Sequence, residues 1–160
     1  MSALGGRFRL GVVAGYDRAD FPQETFESRF RLLDEFLACL PDDGALPVMV
    51  GGGAGPALQR AARVGAWMAP TMLTADRIAS RIATLRARAP GATVTVIRRF
   101  EGRSLPGRGA GRTPQDVRWT PGTAVESAAE LSALGVDEIV LGPVPSLAAL
   151  EEVRDALAGV

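Results

Sequence analysis

Apolar residues along the chain cluster in short runs, and between the runs they recur at three- and four-residue steps. The runs are Arg7 to Ala14 (RFRLGVVA), Leu46 to Val50 (LPVMV), Ala66 to Ala69 (AWMA), Thr93 to Arg99 (TVTVIRR) and Val136 to Leu141 (VDEIVL). Runs of this kind, rather than strict apolar–polar alternation, predict strands covered on both faces. The periodic segments predict helices. In Phe26 to Leu40 an apolar face is built from Phe26, Phe30, Leu33, Phe36, Leu37 and Leu40. A second helix runs from Pro56 to about Val64, its proline suited to a first helical position. Thr74 caps a third, with Asp76 in its first turn and Ile78, Ile82 and Leu85 facing inward. Thr123-x-x-Glu126 reads as a capping box opening a fourth, with Val125, Ala128 and Leu131 inward. The last covers Ser146 to Leu157, and Glu101 to Pro121 reads as a long loop rich in Gly, Pro and Arg.

Five strands, each followed by a helix, imply an α/β fold: a parallel sheet covered by helices. The chain of 160 residues reads as a single domain, 1–160, long enough to bury a core without disulfide or metal staples.

Composition narrows the chemistry. The 18 basic residues balance the 18 acidic ones, so no basic surplus exists to bind a phosphate backbone, and nucleic acid is not expected as a partner. All the basic residues are arginine; Lys, His and Asn are absent. Imidazole catalysis, histidine metal ligation, Schiff-base lysines and lysine-bearing phosphate loops are therefore excluded, and no metal site is expected. The one cysteine, Cys39, cannot pair within the chain, and its apolar helical surroundings predict a buried, inert thiol. There is no apolar leader, and no apolar run approaches the ~20 residues of a membrane span. A cytoplasmic protein without a membrane partner is the expectation.

The most pointed local pattern is VMVGGGAGPAL, Val48 to Leu58: a strand, a glycine-rich turn and a helix start, in that order. Glycines let backbone N–H groups approach an anion, and a helix N-terminus adds about half a positive charge. A phosphate suits Gly51, Gly52, Gly53 and Ala54. The same glycines also suit a tight strand-to-helix turn with no ligand. The pattern departs from the dinucleotide fingerprint, because Pro56 stands at the third glycine's place. A second candidate is Gly15-Tyr16 at the end of the first strand, where parallel α/β folds bind ligands. Tyr16 could stack on a ring or simply pack its own loop. Asp17, Asp20 and Glu24 could act as acids or bases, or cap the following helix. Arg103, Arg108 and Arg112 read as solvated loop charges able to close over an anion; Trp67 reads as core and Trp119 as packing or pocket lining. No catalytic residue is identified.

With these segments in order, the chain resembles the luciferase-like monooxygenase superfamily, particularly its F420-dependent oxidoreductases. Gly6 to Gly15-Tyr16 is similar to that family's fourth strand and the aromatic after it, and Arg29 to Leu37 to the next helix. Leu46 to Gly53 looks like the fifth strand and cofactor-phosphate turn, Ala61 to Met68 like the next unit, and Gly122 to Gly142 like the last βα step. The resemblance implies a partial, truncated TIM-barrel-like (βα)5 fold with about five parallel strands, completed by dimerisation or by a partner chain. It implies F420 or FMN as cofactor, held by its phosphate at Gly51, Gly52, Gly53 and Ala54, with Gly15 and Tyr16 near the reacting ring. The first three strands, which carry the ring-binding bulge in the family, have no counterpart here. The insertion before Leu46 is cut to Pro41–Ala45, and the family's acidic residue before the Trp67 position is absent. Two functions follow: a flavin- or F420-dependent oxidoreductase or monooxygenase acting on a small molecule, or a non-catalytic half-barrel that binds a small ligand or serves as an assembly subunit with no cofactor retained.

Overall fold

The computed structural model describes residues 8–15, 25–41, 46–71, 73–98, 121–142 and 146–158. Strands and helices alternate along the chain: β1 (Leu10–Val13), α1 (Phe26–Ala38), β2 (Val48–Gly51), α2 (Gly55–Val64), β3 (Ala66–Ala69), α3 (Ala75–Arg86), β4 (Thr93–Arg98), α4 (Pro121–Ala133), β5 (Glu138–Leu141) and α5 (Leu147–Ala158). The strands form one sheet in the order β1-β2-β3-β4-β5, and β1 with β2, β2 with β3, and β4 with β5 pair in parallel. The expected α/β fold with five parallel strands is present. The sequential strand order contains no reversal, unlike a doubly wound sheet with its switch point.

Burial follows position in the sheet. β2, β3 and β4 are mostly buried, whereas β1 and β5, at the two ends of the order, alternate or stay partly exposed. A central parallel strand has neighbours on both edges and helices on its faces, which is why its sequence is an apolar run.

The chain divides into two compact units, Met1–Met68 with Ala83–Thr93, and Ala69–Ile82 with Val94–Val160. In the first, Val50 and Trp67 are register partners and fully buried, and Ala57, Leu58 and Ala61 are the buried stripe of α2, which packs on β2. In the second, Val94 and Val96 of β4 and Val153 of α5 are buried, and α4 packs on α5. Asp137 closes the base of β4 twice. Its carboxylate accepts from the Val94 N–H at 2.7 Å, and its own N–H donates to the Val94 carbonyl at 2.9 Å. Both backbone groups of one β4 residue are thereby satisfied where the β5 ladder begins.

Three expectations are corrected. Cys39 is exposed: α1 ends at Ala38, Cys39 is its C-cap, and at about 100° per residue it lies half a turn out of phase with Phe30. The apolar face of α1 narrows to Phe30 and Leu33, while Phe26 and Phe36 are 54% and 43% exposed. In α4, Pro121 opens the helix, so Thr123 lies inside the first turn and cannot be its N-cap; proline's fixed φ and missing N–H suit that start. The shifted phase buries Ala124, Ser127 and Leu131 rather than Val125 and Ala128. The α3 stripe of Ile78, Ile82 and Leu85 is buried as expected, and Ser146 caps α5 by accepting from the Ala149 N–H at 3.1 Å.

Candidate functional site

The glycine-rich turn joins β2 to α2 in the first unit, and its glycines have unequal duties. Gly51 ends β2 and is buried. A Cβ there would lie 2.7 Å from Val13 Cγ1 and 2.8 Å from Met68 Cε, so glycine lets neighbouring strands carry those side chains over it. Gly52 has φ +131°, a region L-residues rarely adopt, and its N–H donates to the Met68 carbonyl at 3.3 Å. Its carbonyl accepts from the indole Nε1–H of Trp67 at 2.8 Å. The turn is thus fastened to β3 through both backbone groups of one residue, Gly52.

Beyond Gly52 the turn is open. Ala54 is the N-cap of α2 in extended geometry, no side chain caps the helix, and Pro56 occupies the first turn. A Cβ added at Gly55 would meet nothing within 4 Å. Pro56 has no N–H, and the Ala57 and Leu58 N–H groups donate to the Ala54 carbonyl at 3.0 and 3.2 Å, so what this helix start offers an anion is the unfilled space at Gly55 and the N–H groups that precede Pro56.

The start of α2 is held by charge. Arg60 donates from Nη1 to the Pro56 carbonyl at 2.9 Å and from Nε to Asp34 Oδ1 of α1 at 3.0 Å, and its guanidinium lies 4.7 Å from the centre of the Phe30 ring. Arg60 Nη2 and Arg63 Nη2 also bond the Asp34 carboxylate. Arg60, and then Arg63, hold Asp34 below its ordinary value of 3.8, against the upward push of partial burial. A depressed folded-state pKa gives stability that is present above the unfolded value and lost as pH falls through the folded one. Solvent screens the cluster, because the Asp34 side chain is 36% exposed. Asp34→Asn is therefore expected to lower unfolding stability near neutral pH by about 0.5–1 kcal/mol. The difference between variant and parent should close as the solution is acidified below the usual carboxylate range. Urea midpoints across that range test this; a difference that does not change with pH would place the effect in packing instead.

At the end of β1, Gly15 takes the left-handed φ of +85°, as a strand-terminating glycine turn requires. Tyr16 lies outside the described residues, as do Asp17, Asp20, Glu24, Arg103, Arg108, Arg112 and Trp119. Trp67 is fully buried, as expected of core.

Three polar groups stand out that the sequence reading passed over. Arg29 of α1 has buried Nε and Nη1 atoms with no hydrogen-bond partner. Arg98, at the end of β4, is 6% exposed with an unpartnered Nε, and burial lowers its pKa. Thr95 Oγ1, nearly fully buried, donates to Glu138 Oε2 across β4 and β5 at 2.8 Å. Arg98 is a charge at the end of a strand with an apolar stretch before it, and that interruption was the available signal; Arg29, beside Glu27, Ser28 and Arg31, and Thr95, in a Thr–Val alternation, carried none.

No protein-family model matches the chain, and no curated protein matches it. Among the described residues, no helix is long and apolar enough to cross a membrane, and no group of three His, Cys, Asp or Glu could hold a metal ion.

Proposed function

We propose that the chain is a luciferase-like, flavin- or F420-dependent oxidoreductase or monooxygenase in cofactor class, binding FMN or F420 through its phosphate at the β2–α2 turn. The supporting observation is the open, uncapped start of α2 at Ala54 and Gly55, fed by a glycine turn that is rigidly fastened behind it. Gly53 and Ala54 would face the phosphate, while Gly51 and Gly52 shape the approach. When bound, the cofactor supplies the redox chemistry. The protein's part is to seat its anion with helix-terminal N–H groups and to keep the turn from collapsing. Gly15 and Tyr16 would adjoin the ring, and the reading includes a cytoplasmic protein acting on a small molecule.

The partial-barrel part of this reading has its own support. The exposed large apolar residues of the first unit lie on or beside β1 and α1, and those of the second on β5 and α5. Unpaired strands with apolar flanks associate. The chain would therefore pair with a second copy or with a partner chain supplying further strands, which sedimentation at micromolar concentration would show.

A second reading is favoured by Gly51 and Gly52 themselves, whose glycine character is explained by packing and by φ alone. On that reading the protein is a non-catalytic half-barrel that binds another small ligand or acts as an assembly subunit. Titration with FMN and with F420, followed by fluorescence, separates the two. Ala54→Asp is the informative variant: aspartate is a favoured N-cap, so the helix is kept or strengthened while the anion seat becomes negative. Cofactor bound by the parent and lost in Ala54→Asp is the expected result. If neither cofactor binds the folded parent, the redox reading fails.

A further inference from the structure

Arg98 ends β4 and is the one charged residue of that strand. It shares a sheet face with Val94 and Val96, which are fully buried, and is itself only 6% exposed. Among the described residues nothing bonds its guanidinium. Nε is enclosed without a partner, but Nη1 and Nη2 are not sealed off with it. These two terminal nitrogens meet the surface as an open fork. Burial lowers the pKa of the group, and no described carboxylate counters it. A folded protein seldom encloses a guanidinium in this way unless something outside the chain supplies the acceptor.

The surroundings of the fork are positive and open. α4 leads back to the start of β5, and α5 follows the end of β5, so both helices start at the end of the sheet where Arg98 lies. Neither has an acidic residue in its first turn. Ser146 already occupies the Ala149 N–H, so α5 contributes its field rather than a full set of donors. The Gly142 N–H donates to the Arg98 carbonyl at 3.0 Å, which keeps the ends of β4 and β5 level. A Cβ at Gly142 would meet nothing within 4 Å.

Charge decides the class of ligand. Each helix N-terminus carries about half a positive charge. With Arg98 the end of the sheet offers about two. The dianion of a phosphate monoester matches that, whereas a carboxylate would leave about one unit unanswered. Parallel N–H groups from Nη1 and Nη2 also fit two oxygens of one phosphate.

We propose that the end of β4 and β5 binds the phosphate group of a small phosphorylated ligand, with Nη1 and Nη2 of Arg98 as its donors. The site belongs to the second unit, not to the unit that holds the β2–α2 turn, and it does not rest on the cofactor reading.

Glycerol 3-phosphate is the probe, with inorganic phosphate, glycerol and acetate as controls, observed by amide NMR and by calorimetry on the full chain. The ester and inorganic phosphate should bind and shift the Arg98, Leu141 and Gly142 amides. Glycerol should not bind measurably, and acetate should bind at least about tenfold more weakly than the ester, since charge-assisted bonds contribute a factor of ten to a hundred. Arg98→Met keeps the aliphatic stem and removes the donors, so it should weaken the ester by a similar factor. Because it removes a buried unpaired charge, it should be at least as stable to urea as the parent, and lost binding cannot then be assigned to unfolding. Leu141→Glu is the second check. Leu141 is the register partner of Arg98, so a carboxylate there would occupy the fork and should abolish binding while Arg98 remains. Ala54→Asp should leave the ester's affinity unchanged, which separates failure here from failure at the glycine turn. Ester bound equally by the parent and Arg98→Met, shifts confined to the β2–α2 turn, or no binding of the ester would overturn the proposal. So would acetate bound as tightly as the ester, because the site would then answer a single charge.

Discussion

Trp67→Ala is expected to cost the fold about 3–5 kcal/mol, the range for removing a large buried aromatic. The ring is fully buried beside fully buried Val50, its register partner on β2, and a site so enclosed cannot collapse around the loss. Against a total stability of about 5–15 kcal/mol for an ordinary domain, that leaves little. Trp67→Phe divides the effect. It keeps most of the volume but deletes the indole N–H that donates to the Gly52 carbonyl, leaving that acceptor without this partner at a cost of about 1–3 kcal/mol. The same change should loosen the turn. Amide exchange at Gly52 and Gly53 should therefore rise in Trp67→Phe by more than global destabilisation explains. Urea unfolding followed by far-ultraviolet circular dichroism gives the first quantity and exchange the second. A phenylalanine variant as stable as the parent would show that the indole fastening contributes nothing.

The run of glycines from Gly51 to Gly55 should split into two classes under alanine substitution. Gly51→Ala places a methyl at 2.7 Å from Val13 Cγ1 and 2.8 Å from Met68 Cε. The methionine end can swing away, but the valine is β-branched and stiff at χ1. Overpacking of this kind costs about 1–3 kcal/mol. Gly52→Ala meets only Ala57 Cβ, at 3.0 Å, but must hold φ +131°, a backbone strain of about 1–3 kcal/mol. Gly55→Ala meets nothing within 4 Å and lies at the helix start, where alanine is neutral or better by up to about 1 kcal/mol. Thermal or urea midpoints for the three variants test the division. Equal losses at all three would mean that the run is needed for flexibility rather than for two particular positions. Gly55→Ala also serves the cofactor question, since it fills the space above the α2 start without straining the turn behind it.

The strand runs are legible because a parallel strand covered on both faces has no solvated face, and its sequence then says so directly. Ala66–Ala69 was read to the residue, and the α3 stripe of Ile78, Ile82 and Leu85 was read to the side chain. α1 was harder. Its apolar residues were identified, but periodicity cannot say how wide a helix's contact is. The packing buries Phe30 and Leu33 and leaves Phe26 and Phe36 flanking an open edge. Cys39 was misplaced for a related reason: the helix ended one residue before it, and its phase turned it outward. In α4 the capping-box pattern competed with Pro121, and the proline won the helix start.

By itself, the sequence determined the alternation of strands and helices, the parallel sheet, the buried stripe of α3 and the place of the glycine turn. Each of these follows from local pattern, from the period of burial or from the conformational freedom of glycine. Tertiary structure alone decided which glycine answers to which constraint, because a clash with Val13 or a hydrogen bond to Trp67 joins residues far apart in the chain. It also decided the charges. Asp34 meets Arg60 and Arg63 across two helices. The buried Nε and Nη1 of Arg29 are left without an acceptor, because whether a guanidinium finds a carboxylate depends on how elements pack.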